Sequence, residues 1–238
     1  MSPVRKRGAP KTLREPRAIT AGRARRVLYA VVEGEATERD YLEYLEERYA
    51  GDPRTFEIQV IWERNGLKPR EVIDRAAEKL EELDDPKREQ VWAFFDRDQH
   101  NQIEECHTRA LAGGINLVFS HPSFDLWLLL HFVPGPPGAQ GGSSSRIQQQ
   151  LAAAHPAYRD FGKRDKRIAG ARRQALDGRA NHAVKLAKAL VANCPSVGCS
   201  VSRGHVAHCK VLDRDPSTDA WKLLESLGIA PETTAERS

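Results

Sequence analysis

Two short acidic groups could do chemistry together. Glu33-Gly34-Glu35 follows the apolar run Val27 to Val32, and Asp96-Arg97-Asp98 follows Val91 to Phe95. Alternating side chains in a loop leaving a strand can point two carboxylates at one spot. Glu33, arriving from a second strand, would make a third hard oxygen donor. Such a set suits Mg²⁺ or Mn²⁺, with water and phosphate oxygens completing the shell. Gly34 lacks a Cβ and so allows a phosphate or a neighbouring loop to approach. Glu35 and Glu38 lie near the same place and could hold a second metal. Asp-x-Asp and Glu-Gly are each ordinary surface motifs. Their joint placement at the ends of two apolar strands of one sheet is what points to a metal site.

The elements that must position these acids follow from hydrophobic spacing. Val27–Val32, Phe56–Trp62, Val91–Phe95 and Ile115–Phe119 read as strands, the first continuously apolar and so buried on both faces. Between them, helical spacing predicts a helix from Thr37, with Thr37 as N-cap and Asp40 three residues on. A second helix follows Pro69, and a weaker one leads to Gly113-Gly114. Strand and helix alternating in this rhythm mean a mostly parallel sheet. Phe124–Phe132 reads as a buried helix with Phe124, Trp127, Leu128 and Phe132 in the core, and Asp125 as a helix-terminus acid. Val133–Ser145 is a Pro/Gly/Ser loop. Polar and basic helices follow near 146–154 and 181–192, and a last one follows Pro216-Ser217-Thr218. The fold class expected is α/β, a mostly parallel sheet flanked by helices with a helical C-terminal part. The domains expected are a basic disordered arm (1–24), an α/β domain (25–132), a flexible loop (133–145) and a helical region (146–238) packing on the same domain.

The net charge of +4 hides an asymmetry. Residues 1–26 carry nine Lys/Arg, including Arg25 and Arg26, against the single acid Glu15, so the remainder has 28 basic and 32 acidic residues. The body is mildly acidic and the arm basic, which suits phosphate contacts or a solubilising tail. The most apolar stretch, Leu126–Val133, is far too short to span a bilayer, and no apolar h-region follows the basic start. Four cysteines in 238 residues do not suggest a disulfide scaffold. A cytoplasmic setting is expected. Cys194, Cys199, His205, His208 and Cys209 could hold zinc, although their spacing matches no standard pattern. The run Lys163, Arg164, Lys166 and Arg167 reads as a solvated helix face, with a phosphate contact as the alternative. His121 and His131 read as structural hydrogen-bonding residues. There is no phosphate-binding Gly-x-x-x-x-Gly-Lys loop.

Three blocks, in order, carry a family resemblance. Val27 to Glu38 resembles the opening motif of the RloB-like family, a TOPRIM-like group associated with abortive-infection and restriction loci and related to AbiL-type components. Val91 to Asp98, with His100 after it, resembles the family's strand and Asp-x-Asp. Ser120 to Phe132 resembles its "Ser-Asn-Pro-x-Phe-Glu-Leu-Trp-Leu-Leu-x-His-Phe" block, with His121 where Asn is usual and Asp125 where Glu is usual. Asp215-Pro216-Ser217-Thr218 resembles a common "Asn-Pro-Ser-Thr". The likeness spans about residues 24–225. It implies a TOPRIM-like catalytic fold, as in topoisomerases, primases and OLD-type nucleases. Glu33, Asp96 and Asp98 would then be catalytic metal ligands, Glu38 the second glutamate of the OLD-like pattern, and Asp125 a further ligand of shortened reach.

The function expected is a Mg²⁺- or Mn²⁺-dependent nuclease acting as effector in an antiphage defence system. Its partners would be nucleic acid, gripped by Arg25, Arg26, Lys163 and Arg164, and an AAA-type ATPase implied by the resemblance. A homodimer is an open alternative. From a different class comes a non-catalytic module that binds nucleic acid or that ATPase. Aspartyl phosphoryl transfer of the haloacid-dehalogenase kind fits less well, because there the Asp-x-Asp follows the first strand.

Overall fold

A computed structural model describes residues 25–51, 55–97, 102–162, 165–202, 204–206 and 208–229. The arm 1–24, Asp98, His100, Lys163 and Arg164 therefore lie outside the described residues.

The chain alternates strand and helix: β1 (Arg26–Val32), α1 (Thr37–Tyr49), β2 (Phe56–Ile61), α2 (Pro69–Glu81), β3 (Glu89–Asp96), α3 (Ile103–Ala112) and β4 (Asn116–His121). The helices α4 (Asp125–Leu130), α5 (Ser144–Ala154), α6 (Ala171–Leu176) and α7 (Ala180–Ala192) follow. A two-residue strand, β5 (Ser217–Thr218), and α8 (Ala220–Leu227) end the described chain. The sheet order is β2-β1-β3-β4-β5, parallel throughout except for the antiparallel β4–β5 pair. This is the α/β fold the spacing predicts, with a fifth strand it does not. Ser217-Thr218 is too short for any periodicity to reveal.

Period-two alternation divides each strand between two cores. Leu28, Ala30, Val32, Trp92 and Phe94 face a large cluster with α1, α4, α5, α7 and α8. Val31, Val91, Ala93, Phe95 and Phe119 face a second cluster with α2 and α3. Both sheet faces are thus covered, which is why β1 and β3 read as continuous apolar runs. The C-terminal helices share one core with β1 and α1. No helix among the described residues is long and apolar enough to cross a membrane.

Two local expectations are corrected. Ala36, not Thr37, occupies the N-cap position of α1, and no side chain caps it. The Thr37 hydroxyl donates to the Lys166 carbonyl at 3.1 Å instead. Residues 165–168 form no helix, so Lys166 and Arg167 are not a solvated helix face. A tertiary acceptor and donor have displaced the local capping pattern.

In α4, Leu126 to Leu130 are completely buried, and His131 closes the helix. His131 Nδ1 lies 2.9 Å from the Trp127 carbonyl, the structural hydrogen bond expected of it. Burial pushes its imidazole down from 6.5 to about 4. The folded value lies below the unfolded one, so between them the unfolded chain takes up a proton that the native state refuses. The stability contributed by neutral His131 is present above pH 6.5 and is lost as pH falls toward 4, on the order of 3 kcal/mol in all. His131→Gln removes the titration, so its unfolding free energy should fall less steeply than wild type across that window in denaturant melts. Parallel slopes would show that His131 titrates normally.

Candidate functional site

The sheet order makes a switch point. α1 leads from the carboxyl end of β1 to β2 on one side, and α3 leads from the carboxyl end of β3 to β4 on the other, so connections diverge from the carboxyl ends of β1 and β3. Crevices at such points are where open α/β sheets bind ligands. Glu33 follows β1 and Asp96 ends β3, so the two acids flank this gap.

Glu33 is fixed by three hydrogen bonds. Its N–H donates to the Phe94 carbonyl at 3.1 Å, and its own carbonyl accepts from the Leu67 N–H at 3.0 Å. Its carboxylate Oε2 accepts from the Asp96 N–H at 2.9 Å. The last bond ties the side chain of one strand end to the backbone of the other.

Around this pair lies a cleft of about 350 Å³, lined by Glu33, Gly34, Glu35, Glu38, Asp96 and Asp125. Asp165, Lys166 and Arg167 form its far wall. Glu38, in the first turn of α1, is only 7% exposed. Its carboxylate folds over Gly34, where an added Cβ would stand 2.2 Å from Oε2. Gly34 therefore serves close approach, as expected, but the group approaching is Glu38. Asp125, at the start of α4, is 2% exposed. Its Oδ2 accepts from Gln148 Nε2 at 2.8 Å and lies 3.6 Å from Lys166 Nζ.

The far wall is held by a residue whose role the sequence did not signal. Asp40 is completely buried. Its Oδ2 accepts from the Ile168 N–H at 2.9 Å and from Arg167 Nε at 2.7 Å. A helix-start acid looks the same in sequence whether it caps its own helix or clamps a distant strap. Removing it by Asp40→Ala leaves the buried Ile168 N–H without its acceptor, and thermal or urea unfolding should show a loss of about 1–3 kcal/mol. An unchanged midpoint would mean that the strap is held elsewhere.

Of the basic residues expected to grip nucleic acid, Arg25 and Arg26 stand apart from the cleft. Arg25 pairs with Glu57. Arg26 donates to the carbonyls of Ser226 at 2.6 Å and Leu227 at 3.1 Å, at the C-terminal end of α8, where a cation complements the helix dipole. Both lie at the opposite end of β1 from Glu33, some ~20 Å along the strand.

The donor set fits Mg²⁺ or Mn²⁺ in chemistry, being carboxylate oxygens throughout. Mg²⁺ uses one or two carboxylates plus water and phosphate, so it needs no closed protein shell. Among the described residues, the one group with ligand atoms all within 4.8 Å of one another lies elsewhere and is Cys194, Cys199, His205 and Cys209. His208 is outside it, its Nε2 lying 3.0 Å from the Val197 carbonyl.

Fold and site together define an α/β protein whose mostly parallel sheet presents an acid-lined cleft at its switch point. The chain belongs to the RloB-like protein family, whose model matches residues 28–227. No curated protein and no solved structure matches it.

Gly34→Ala and Glu38→Gln test the cleft from two directions. The clash in Gly34→Ala is with the far end of a flexible side chain, so the fold should survive with a near-normal melting temperature while Glu38 is displaced. If Glu38 is a ligand, both variants should weaken Mn²⁺ binding in calorimetric titration, and Glu38→Gln activity should recover in part at higher Mn²⁺. Wild-type Mn²⁺ affinity in both would assign Glu38 to the helix dipole alone, worth about 0.3–1 kcal/mol.

Proposed function

We propose that this chain is a TOPRIM-like, divalent-metal-dependent nuclease that cleaves phosphodiesters as the effector of an antiphage defence system. The observation that carries the reading is the Glu33–Asp96 pair across the switch point, joined through the Asp96 amide, with Glu38 and Asp125 buried in the same cleft. Glu33, Asp96 and Glu38 would hold Mg²⁺ or Mn²⁺, with Asp98 and Asp125 as further ligands. When bound, the metal supplies a Lewis acid for the phosphodiester and lowers the pKa of a coordinated water.

The chain's own residues prepare the rest. The Asp96 N–H fixes the orientation of the Glu33 carboxylate, which can hold or release a proton at its oxygens wherever it is not a ligand. α1 begins at the cleft, with Ala36 and Thr37 among its lining residues, and its N-terminal end would favour a phosphate there. Lys166, beside Asp125 on the cleft wall, would offer a cation to a bound phosphate. An acidic body needs basic segments to grip a polyanion, and the arm 1–24, with Lys163 and Arg164, would supply them, since Arg25 and Arg26 are engaged by Glu57 and the end of α8. A partner AAA-type ATPase would control the activity.

The test is cleavage of single- and double-stranded DNA, RNA and tRNA by the full chain with Mg²⁺ or Mn²⁺, against a chelator control. Glu33→Gln and Asp96→Asn should each lower the rate by about 10²-fold or more while leaving the melting temperature unchanged or slightly raised, since a like charge is removed. Wild-type rates in both variants would reject the site. Tight nucleic-acid binding without cleavage under any divalent ion, unaffected by either substitution, would favour the non-catalytic module.

A further inference from the structure

We propose that Cys194, Cys199, His205 and Cys209 form a structural zinc site that staples residues 194–209. The four ligand atoms lie within 4.8 Å of one another. Cys194 Sγ is 3.5 Å from Cys209 Sγ, and Cys209 Sγ is 3.6 Å from His205 Nδ1. A tetrahedral ion with Zn–S of about 2.3 Å and Zn–N of about 2.0–2.1 Å sets its ligand atoms roughly 3.5–3.8 Å apart, so these two edges already have the length zinc requires. No two of these sulfurs are bonded, all four cysteines of the chain being free. Three thiolates and an imidazole in a closed set select zinc over Mg²⁺, and four protein ligands leave no open position for catalysis.

The backbone brings each ligand in by a tight turn. Ser200 and Gly204 pair antiparallel, each N–H donating to the other's carbonyl at 3.1 and 2.8 Å, which sets Cys199 beside His205. Gly198 and Gly204, at φ +94° and +71°, supply conformations that few side chains would tolerate. The N–H of Cys209 donates to the Val206 carbonyl at 2.9 Å.

A second observation concerns charge. Arg214 is buried, 7% exposed, and its Nε lies 3.4 Å from Cys209 Sγ while Nη2 donates to the Cys209 carbonyl at 2.9 Å. Zinc with three thiolates carries one net negative charge, and the Arg214 guanidinium neutralises it while donating to a ligand sulfur. Among the described residues from Cys194 to Cys209, Cys209 alone joins the buried apolar set, and Val197 is 86% exposed.

The experiment uses the full chain, purified under reducing conditions without a metal-affinity step from zinc-supplemented cells. Plasma mass spectrometry should find close to one zinc per chain, and zinc-edge absorption should fit three sulfurs and one nitrogen. A zinc-selective chelator should lower the melting temperature, with Zn²⁺ but not Mg²⁺ restoring it. Cys199→Ser, at a half-buried position, should lose most of the zinc, whereas His208→Ala and Cys106→Ser should keep it. If Cys199→Ser does not fold, Co²⁺ added to chelated wild type provides the readout, as a thiolate-to-cobalt charge-transfer band. Less than roughly a tenth of an equivalent of zinc, both as purified and after incubation with Zn²⁺ and reductant, would overturn the proposal. So would a Cys194–Cys209 disulfide in the non-reduced chain, or full zinc retention in Cys199→Ser.

Discussion

Parallel strands whose connections leave in opposite directions expose the gap between their carboxyl ends, since neither crossover can fill it. In this chain the gap lies between β1 and β3, and one hydrogen bond closes its base, from the Asp96 N–H to the Glu33 carboxylate. The bond depends on strand register. Val32 stands opposite Phe94, so the first residue beyond β1 reaches the last residue of β3. A one-residue slip would turn every apolar side chain of β1 to the wrong core and carry Glu33 away from Asp96. The two hydrophobic clusters that fix the register therefore also fix the site.

Concentrating carboxylates in a half-enclosed cleft raises their mutual repulsion, and burial raises it further because water screens them less. Glu38 and Asp125 are the most deeply placed, and the fold answers each differently. Glu38 stands at the start of α1, where the helix dipole favours negative charge. Asp125 has Lys166 and Gln148 against one oxygen. Lys166 is held in place by the strap 165–168, which Asp40 clamps and Thr37 contacts from below. The first turn of α1 thus contributes one acid to the cleft and fastens the strap that brings the nearest cation to it.

How far this was legible in sequence follows from the kind of interaction involved. Buried parallel strands announce themselves as apolar runs, so β1 to β4 and the acids that follow β1 and end β3 could be read directly, and the family resemblance rests in part on β1 and β3. Thr37 and Asp40 show the limit. Their pattern is that of a capping box, yet both side chains serve residues more than 120 positions away, and no local signal separates the two uses. The cysteine cluster shows another. Cys194-x4-Cys199 and His205-x3-Cys209 each resemble half of a zinc motif, but the separation between halves is set by the Ser200–Gly204 pairing, visible only once the chain is folded.

β5 poses a physical question, since two residues offer little hydrophobic reason for a strand to stay in place. Its ladder to β4 is supplemented by the Ser120–Thr218 hydroxyl contact at 3.0 Å and by the Asp219 N–H donating to the Phe119 carbonyl at 2.9 Å. The chain arriving at it is anchored by two consecutive charged residues facing different groups. Arg214 turns to Cys209 and to His107, its Nη1 lying 3.3 Å from His107 Nε2. Asp215 accepts from the N–H groups of Gln140 and Gly142 at 3.1 and 3.0 Å, and an oxygen lies 3.5 Å from His121 Nδ1 at the end of β4. The Pro/Gly/Ser loop is thereby tied at its far end to the sheet, with Gly142 beside the guanidinium of Arg97, the residue after Asp96. Polar contacts to charged groups, each worth about 1.5–3 kcal/mol when partly buried, replace the apolar burial that so short a strand cannot provide. They also join the cysteine-rich segment, β5 and the loop over Arg97 into one continuous set of contacts running to the edge of the acidic cleft.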